Sequence, residues 1–163
     1  MTYINKNNLS VSFVMSIYNG EKYLDESIDS ILSQTYNNFN LIIVDDASTD
    51  KTLLKLTNKA KTDSRIIILS NEINQGLTKS LIKAINYSTS DIIVRQDVDE
   101  VSNPNRLEIL LKFYEEKTIV AVGSLCENIY SKELRSIWKF LDEDQIKQVI
   151  KYKTIFAHGS SSF

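Results

Sequence analysis

The sequence predicts an α/β fold: a mostly parallel sheet with helices on both faces. Strand-like and helix-like segments alternate four times along the first two thirds of the chain. The early strand candidates are also continuously apolar rather than alternating, as strands covered on both faces are. A length of 163 residues fits one domain, and 42% hydrophobic content is enough to build its core.

Val11-Ser12-Phe13-Val14-Met15-Ser16-Ile17 reads as a buried strand, stopped by Tyr18-Asn19-Gly20. Leu24, Ile28, Ile31 and Leu32 recur at helical spacing, so residues 21–34 form an amphipathic helix. Residues 40–45 are a second strand, running into Asp46-Ala47-Ser48-Thr49-Asp50, a cluster of turn and capping residues. A helix over about 50–61 follows, then a short strand at 65–69. Asn74-Gln75-Gly76 opens a helix with Leu77, Leu81, Ile82 and Ile85 on its inner side, and residues 91–95 are the fourth strand. Asn103 and Pro104 cap and start a helix carrying Leu107, Leu110, Leu111 and Tyr114. Residues 119–125 form a fifth strand. The stretch 127–140, with Trp138, stays open between strand and hairpin. Asp142 begins a last helix with Ile146, Val149 and Ile150 inward.

A net charge of −2 supplies no general attraction for nucleic acid or an anionic membrane. The single Cys126 cannot form an internal disulfide, which suits a reducing compartment. No apolar run is long enough to span a bilayer, and the N-terminus lacks a signal-peptide pattern, so a cytoplasmic location is expected.

Asp97-Val98-Asp99-Glu100 follows the apolar Ile92-Ile93-Val94 and precedes Ser102-Asn103-Pro104. Crowded carboxylates repel one another, which points to a cation between them. Residues 97 and 99 are two apart, and in extended backbone alternate side chains share a face. Both acids would then point the same way from the carboxyl end of a strand, where open α/β sheets bind ligands. Hard oxygen donors without Cys or His nearby favour Mg²⁺ or Mn²⁺ over zinc. A solvated acidic turn is the competing reading, and context decides between them. Asp45 and Asp46 end the second strand in the same way.

Four features converge: Ser16-Ile17-Tyr18-Asn19-Gly20-Glu21, Asp45-Asp46-Ala47-Ser48-Thr49-Asp50, Asn74-Gln75-Gly76-Leu77, and Arg95-Gln96-Asp97-Val98-Asp99-Glu100 with Pro104 and Arg106-Leu107-Glu108. In this order the chain resembles the family 2 glycosyltransferases, which have the GT-A fold. The likeness is clear over roughly residues 9–125 and weaker at His158-Gly159-Ser160. It implies transfer of a sugar from a UDP- or dTDP-sugar donor to a saccharide or lipid-linked acceptor in surface polysaccharide synthesis, with Mn²⁺ or Mg²⁺ as cofactor. Tyr18 matches the position lying against the base, where an aromatic face is physically apt; packing is its alternative role. Ser16 would bring backbone near the base. Asp46 would accept from a base imide N–H, favouring uracil or thymine over cytosine; turn capping is the alternative for Asp45 and Asp46. Asp50 reads as the helix cap itself. Glu21 would touch the donor or simply answer a helix dipole. Lys79 and Arg95 would face the nucleotide or be ordinary surface cations. Val98 belongs to the donor-binding motif. Asp99 would hold the metal directly, and Asp97 the ribose hydroxyls or the metal through water. Glu100 stands where Asp is commoner and is not read as a ligand. The ion would act as a Lewis acid on the leaving diphosphate.

The resemblance also implies inversion at the anomeric centre, which requires a base for the acceptor hydroxyl. The resemblance implies an Asp for this, after the segment that ends here at Phe163. Asp142 and Asp144 precede His158 and read as helix caps, while His158 would face the acceptor or the leaving diphosphate. Residues 1–163 are therefore expected to be a single GT-A nucleotide-sugar-binding domain, incomplete at its acceptor side. Peripheral membrane association and homo-oligomerisation of the full protein stay open. Two other readings compete. One is a phosphoacceptor receiver domain using Asp45, Asp46, Asp97 and Ser124, although receivers carry their acid pair after the first strand. The other is a nucleotide-sugar-binding module without catalysis.

Overall fold

Apolar residues on both faces make β1 (Val11–Ile17) and β2 (Phe39–Asp45) interior strands, and every β1 residue but Ser16 is buried. The computed structural model describes residues 9–113, 119–122 and 140–142. The chain divides into two compact units, Met1–Pro104 and Asn105–Phe163.

In the first unit, four parallel strands stand in the order β3-β2-β1-β4, with β3 at Ile66–Ser70 and β4 at Ile92–Arg95. Ile17 pairs with Asp45, and Asp45 with Ser70, so the three strands end level. The steps β1 to β2 and β2 to β3 run one way across the sheet, and β3 to β4 runs back. Right-handed crossovers therefore put α1 (Leu24–Leu32) and α2 (Thr52–Thr62) on one face and α3 (Leu77–Tyr87) on the other.

Alternation divides the core in two. Val14, Ile42 and Val44 meet Ala84 and Leu81 of α3, with Ile67 and Leu69 alongside. Phe13, Met15, Leu41 and Ile43 have the opposite parity and are fully buried, as are Leu24, Ile28 and Ile31 of α1. Each such side chain contributes roughly 1.5–3 kcal/mol. Phe13 meets Phe39 edge-on with ring centroids 5.6 Å apart. The outer sides of α1 and α2 are laced together by Lys55–Asp25 at 2.8 Å and Lys59–Asp29 at 2.6 Å.

Several expectations are corrected. Residues 21–23 form a turn before α1, because the amides of Tyr23 and Leu24 both bond the Gly20 carbonyl. On α3 it is Ser80 and Ala84 that face inward, with Leu81 beside them; Leu77, Ile82 and Ile85 are exposed. Small side chains let the helix approach the sheet, and Ser80 has a polar partner there. α4 starts at Arg106 (Arg106–Phe113) rather than at Pro104, whose carbonyl instead accepts the Thr35 amide. Leu107 and Leu110 are buried as expected. In the second unit, β5 (Ile119–Val122) pairs antiparallel with β6 (Phe140–Asp142). Asp142 thus ends a strand. Tyr114, Ser124, Cys126, Trp138, Asp144, the last predicted helix and His158 lie outside the described residues. No helix among the described residues is long and apolar enough to cross a membrane.

Candidate active site

The carboxyl ends of β1, β2 and β4 bring three loops together. After β1 the chain bends at Asn19, which has a left-handed φ of 52°. Its Oδ1 accepts the Thr49 amide at 2.8 Å, and its own N–H donates to Ser48 Oγ at 3.0 Å. The next amide, Gly20 N–H, donates to Thr52 Oγ1 at 2.9 Å. Tyr18 projects from this bend and is 52% exposed, so its ring is presented to solvent rather than spent on the core. Ser16 is half-buried and shares the face of Val14.

Gly20 also explains Val98. A methyl group on Gly20 would sit 2.7 Å from Ile17 Cγ2 and 3.1 Å from Val98 Cγ2. The loop after β1 and the acidic turn after β4 therefore touch, and only a residue without a side chain allows it.

Asp45 and Asp46 point to opposite faces of β2. Asp45 does the turn's work: its Oδ2 accepts the Ser48 amide at 3.3 Å, while Oδ1 is buried with no partner among the described residues. Asp46 reaches the α3 side. Its Oδ1 accepts from the Asn71 amide at 2.7 Å and Gln75 N–H at 2.8 Å, and its Oδ2 from Gly76 N–H at 2.8 Å. Burial pushes this carboxyl up, but Gln75, Asn71, Gly76 and Ser80 together outweigh it and hold the group below the ordinary range. The Asn74-Gln75-Gly76 turn is thus folded around a buried anion. Asn71 and Lys83 were not legible as partners. Lys83 Nζ bonds Asn71 Oδ1 at 2.8 Å and the Ser70 carbonyl at 2.7 Å, whereas Lys79 stands exposed one turn earlier.

Glu21 and Asp50 bind the starts of α1 and α2 to each other. Glu21 Oε2 accepts Lys51 N–H at 2.8 Å, and Asp50 accepts from the amides of Thr52 at 2.9 Å and Glu21 at 3.2 Å. The N-cap of α2 is Lys51 rather than Asp50, which sits one residue earlier and reaches the Thr52 amide from outside the helix.

The acidic motif is a turn, not an extension of β4. Glu100 N–H donates to the Asp97 carbonyl at 3.1 Å, and Asp97 N–H to Glu100 Oε2 at 3.2 Å. The expectation that Asp97 and Asp99 share a face through extended backbone therefore fails at residues 98 and 99. The two-residue period instead pairs Arg95 with Asp97, Nε to Oδ1 at 3.0 Å and Nη2 to Oδ2 at 2.9 Å. Asp99 and Glu100 are half-buried. Below the turn lies a polar frame. Buried Gln96 donates to the Glu100 carbonyl at 2.9 Å and accepts from Ser102 Oγ at 2.7 Å. From α1, Ser27 Oγ reaches the Asp97 carbonyl and Ser30 Oγ accepts the Ser102 amide at 2.9 Å. Just past α1, Gln34 bonds the Asn103 carbonyl at 2.7 Å. The spacing Ser27, Ser30, Gln34 follows one helical stripe, a signal that a search for apolar residues alone overlooks.

Among the described residues, no three Asp, Glu, His or Cys side chains gather as a ready-made metal cage. One or two carboxylates on a rigid turn do fit an Mg²⁺ or Mn²⁺ ion whose other ligands arrive with a diphosphate.

Solved structures share this architecture and assign it to the GT-A class. One is Staphylococcus aureus TarS 1–349 in complex with UDP, with a TM-score of 0.68 and 24% identity, covering 79% of this chain and 38% of that one. Another is the mannosyltransferase PcManGT from Pyrobaculum calidifontis in complex with GDP-Man and Mn²⁺, with a TM-score of 0.69 and 23% identity, covering 74% and 36%. The chain belongs to glycosyl transferase family 2, whose model matches residues 12–163. This membership sets the receiver-domain reading aside. The O-antigen biosynthesis glycosyltransferase WbnJ of Escherichia coli is 33% identical over 94% of this chain. WfgD of the same species, a UDP-Glc:α-D-GlcNAc-diphosphoundecaprenol β-1,3-glucosyltransferase, is 35% identical over 67% of it. The chain spans 61% and 42% of the lengths of these two relatives.

Proposed function

We propose that this chain forms the donor-binding part of a glycosyltransferase that takes a UDP- or dTDP-sugar with Mn²⁺ or Mg²⁺ and serves surface polysaccharide synthesis. The reading rests on one observation above others. Tyr18 stands exposed in the loop after β1, and Gly20 of that same loop lies close against Val98 of the acidic turn after β4. In this reading Tyr18 lies against the base, with Ser16 beneath it. Asp46, Glu21 and Lys79 border the nucleotide. Asp99 ligates the ion, with Asp97 in support. When bound, the ion supplies Lewis-acid stabilisation to the departing nucleoside diphosphate. The protein's own part is to hold the turn rigid through Gln96, Ser27 and Ser30, so that little order remains to be imposed on binding.

Relatives support the chemistry: WfgD is named for a UDP-glucose donor and a lipid-linked acceptor, and PcManGT was solved with Mn²⁺. All the named donor positions except the candidate His158 fall in the first compact unit, Met1–Pro104. A cytoplasmic site of action follows from where nucleotide sugars are made. The test is Asp99→Asn, followed by calorimetric titration with UDP and Mn²⁺. Mn²⁺-dependent UDP binding should vanish while the melting temperature barely moves; unaltered affinity would remove Asp99 from the metal site.

A further inference from the structure

We infer that Arg95 is a positioning residue that couples the arrival of the divalent ion to that of the diphosphate; this deepens the donor site proposed above and rests on it. The observation is the two-point pairing of its guanidinium with both oxygens of Asp97, at 3.0 and 2.9 Å. A planar fork facing a carboxylate in this way cancels its charge and fixes its orientation. A cation approaching the acidic turn alone thus meets Asp97 already paired with a resident positive group.

A diphosphate alters that balance. Its oxygens match the guanidinium fork as well as a carboxylate does, and it carries more charge. The Arg95 and Asp97 side chains are 33% and 16% exposed, so the pair is open to an incoming anion. Such partly exposed pairs exchange partners at little cost. Once the diphosphate takes the fork, Asp97 is left without its counter-charge beside the new anion, and the ion finds both. Nucleotide thereby strengthens metal binding beyond its own ligation of the ion, and linkage requires the reverse to hold equally. The shape of the turn is carried by other groups, Gln96, Glu100 and Ser27, so it does not depend on this pair alone.

The experiment measures Mn²⁺ affinity of the full chain, with and without UDP, in the wild type, Arg95→Gln and Arg95→Lys. Electron paramagnetic resonance of free Mn²⁺ and calorimetry supply the readouts. Arg95→Gln should bind Mn²⁺ alone roughly fivefold or more tightly than the wild type, and the enhancement by UDP should shrink by a similar factor. Arg95→Lys, which keeps the charge but loses the planar fork, should restore only part of the coupling. A purely structural role for Arg95 would weaken both measurements together, and that outcome overturns the inference. So does an Arg95→Gln variant with wild-type Mn²⁺ affinity and wild-type enhancement. If the wild type itself takes up no UDP with Mn²⁺, the donor-site reading fails first, and the inference with it.

Discussion

Asn71 donates to Oδ1 of Asp46 at 2.7 Å and to Ser80 Oγ at 2.9 Å, joining the end of β2 to the first turns of α3 through one buried amide. Removing it leaves a buried carboxylate short of a donor and a lysine short of an acceptor. Asn71→Ala should therefore cost about 1–3 kcal/mol, measured by urea denaturation with an unchanged slope. A loss within error would mean that water replaces the amide at no cost.

The Asp46 carboxyl titrates below its ordinary value when folded, so its contribution to stability is present above the unfolded value of about 4 and is lost as pH falls through the lower folded one. Asp25, Asp50, Asp63 and Asp91 shift in the same direction, so the wild-type acid limb is shared among them. Asp46→Asn should be less stable at neutral pH, with the gap to wild type narrowing toward pH 3. A gap independent of pH would show that the charge of Asp46 contributes nothing.

At Gly20 the neighbouring side chains stand too close for a methyl group. Gly20→Ala should destabilise by about 1–3 kcal/mol, the usual range for overpacking. Adding Val98→Ala should recover only part of this, because Ile17 makes the closer approach, 2.7 Å against 3.1 Å. Full recovery in thermal melts would instead make Val98 the whole obstacle.

Tyr18 offers the opposite case, a ring that the fold itself does not need. Tyr18→Ala should leave the melting temperature within a degree or two, yet weaken UDP binding by about 1–2 kcal/mol, the scale of one base–aromatic stack. Unchanged UDP affinity in a titration would end its assignment to the base.

The parallel sheet was legible because Val11–Ile17 and Phe39–Asp45 are mostly apolar on both faces, and helical spacing picked out Leu24, Ile28 and Ile31 as the buried side of α1. On α3 the pattern is reversed: bulky Ile82 and Ile85 face out, and Ser80 and Ala84 face in. Periodicity weighs size, whereas close approach to a sheet selects smallness. The composition of Asp97-Val98-Asp99-Glu100 marks an acidic motif, but nothing in it announces that Glu100 folds back on the Asp97 amide. Polar frames such as Gln96 with Ser102 depend on tertiary neighbours and leave no one-dimensional trace beyond the Ser27, Ser30, Gln34 stripe.

Because the buried Asp46 anion grips the amides of Gln75 and Gly76, those two protons sit in a segment whose side chains are open to water yet belong energetically to the sheet. In deuterated buffer they should outlast the amides around them, opening only when the end of β2 opens too. A surface bend would then behave kinetically as part of the interior.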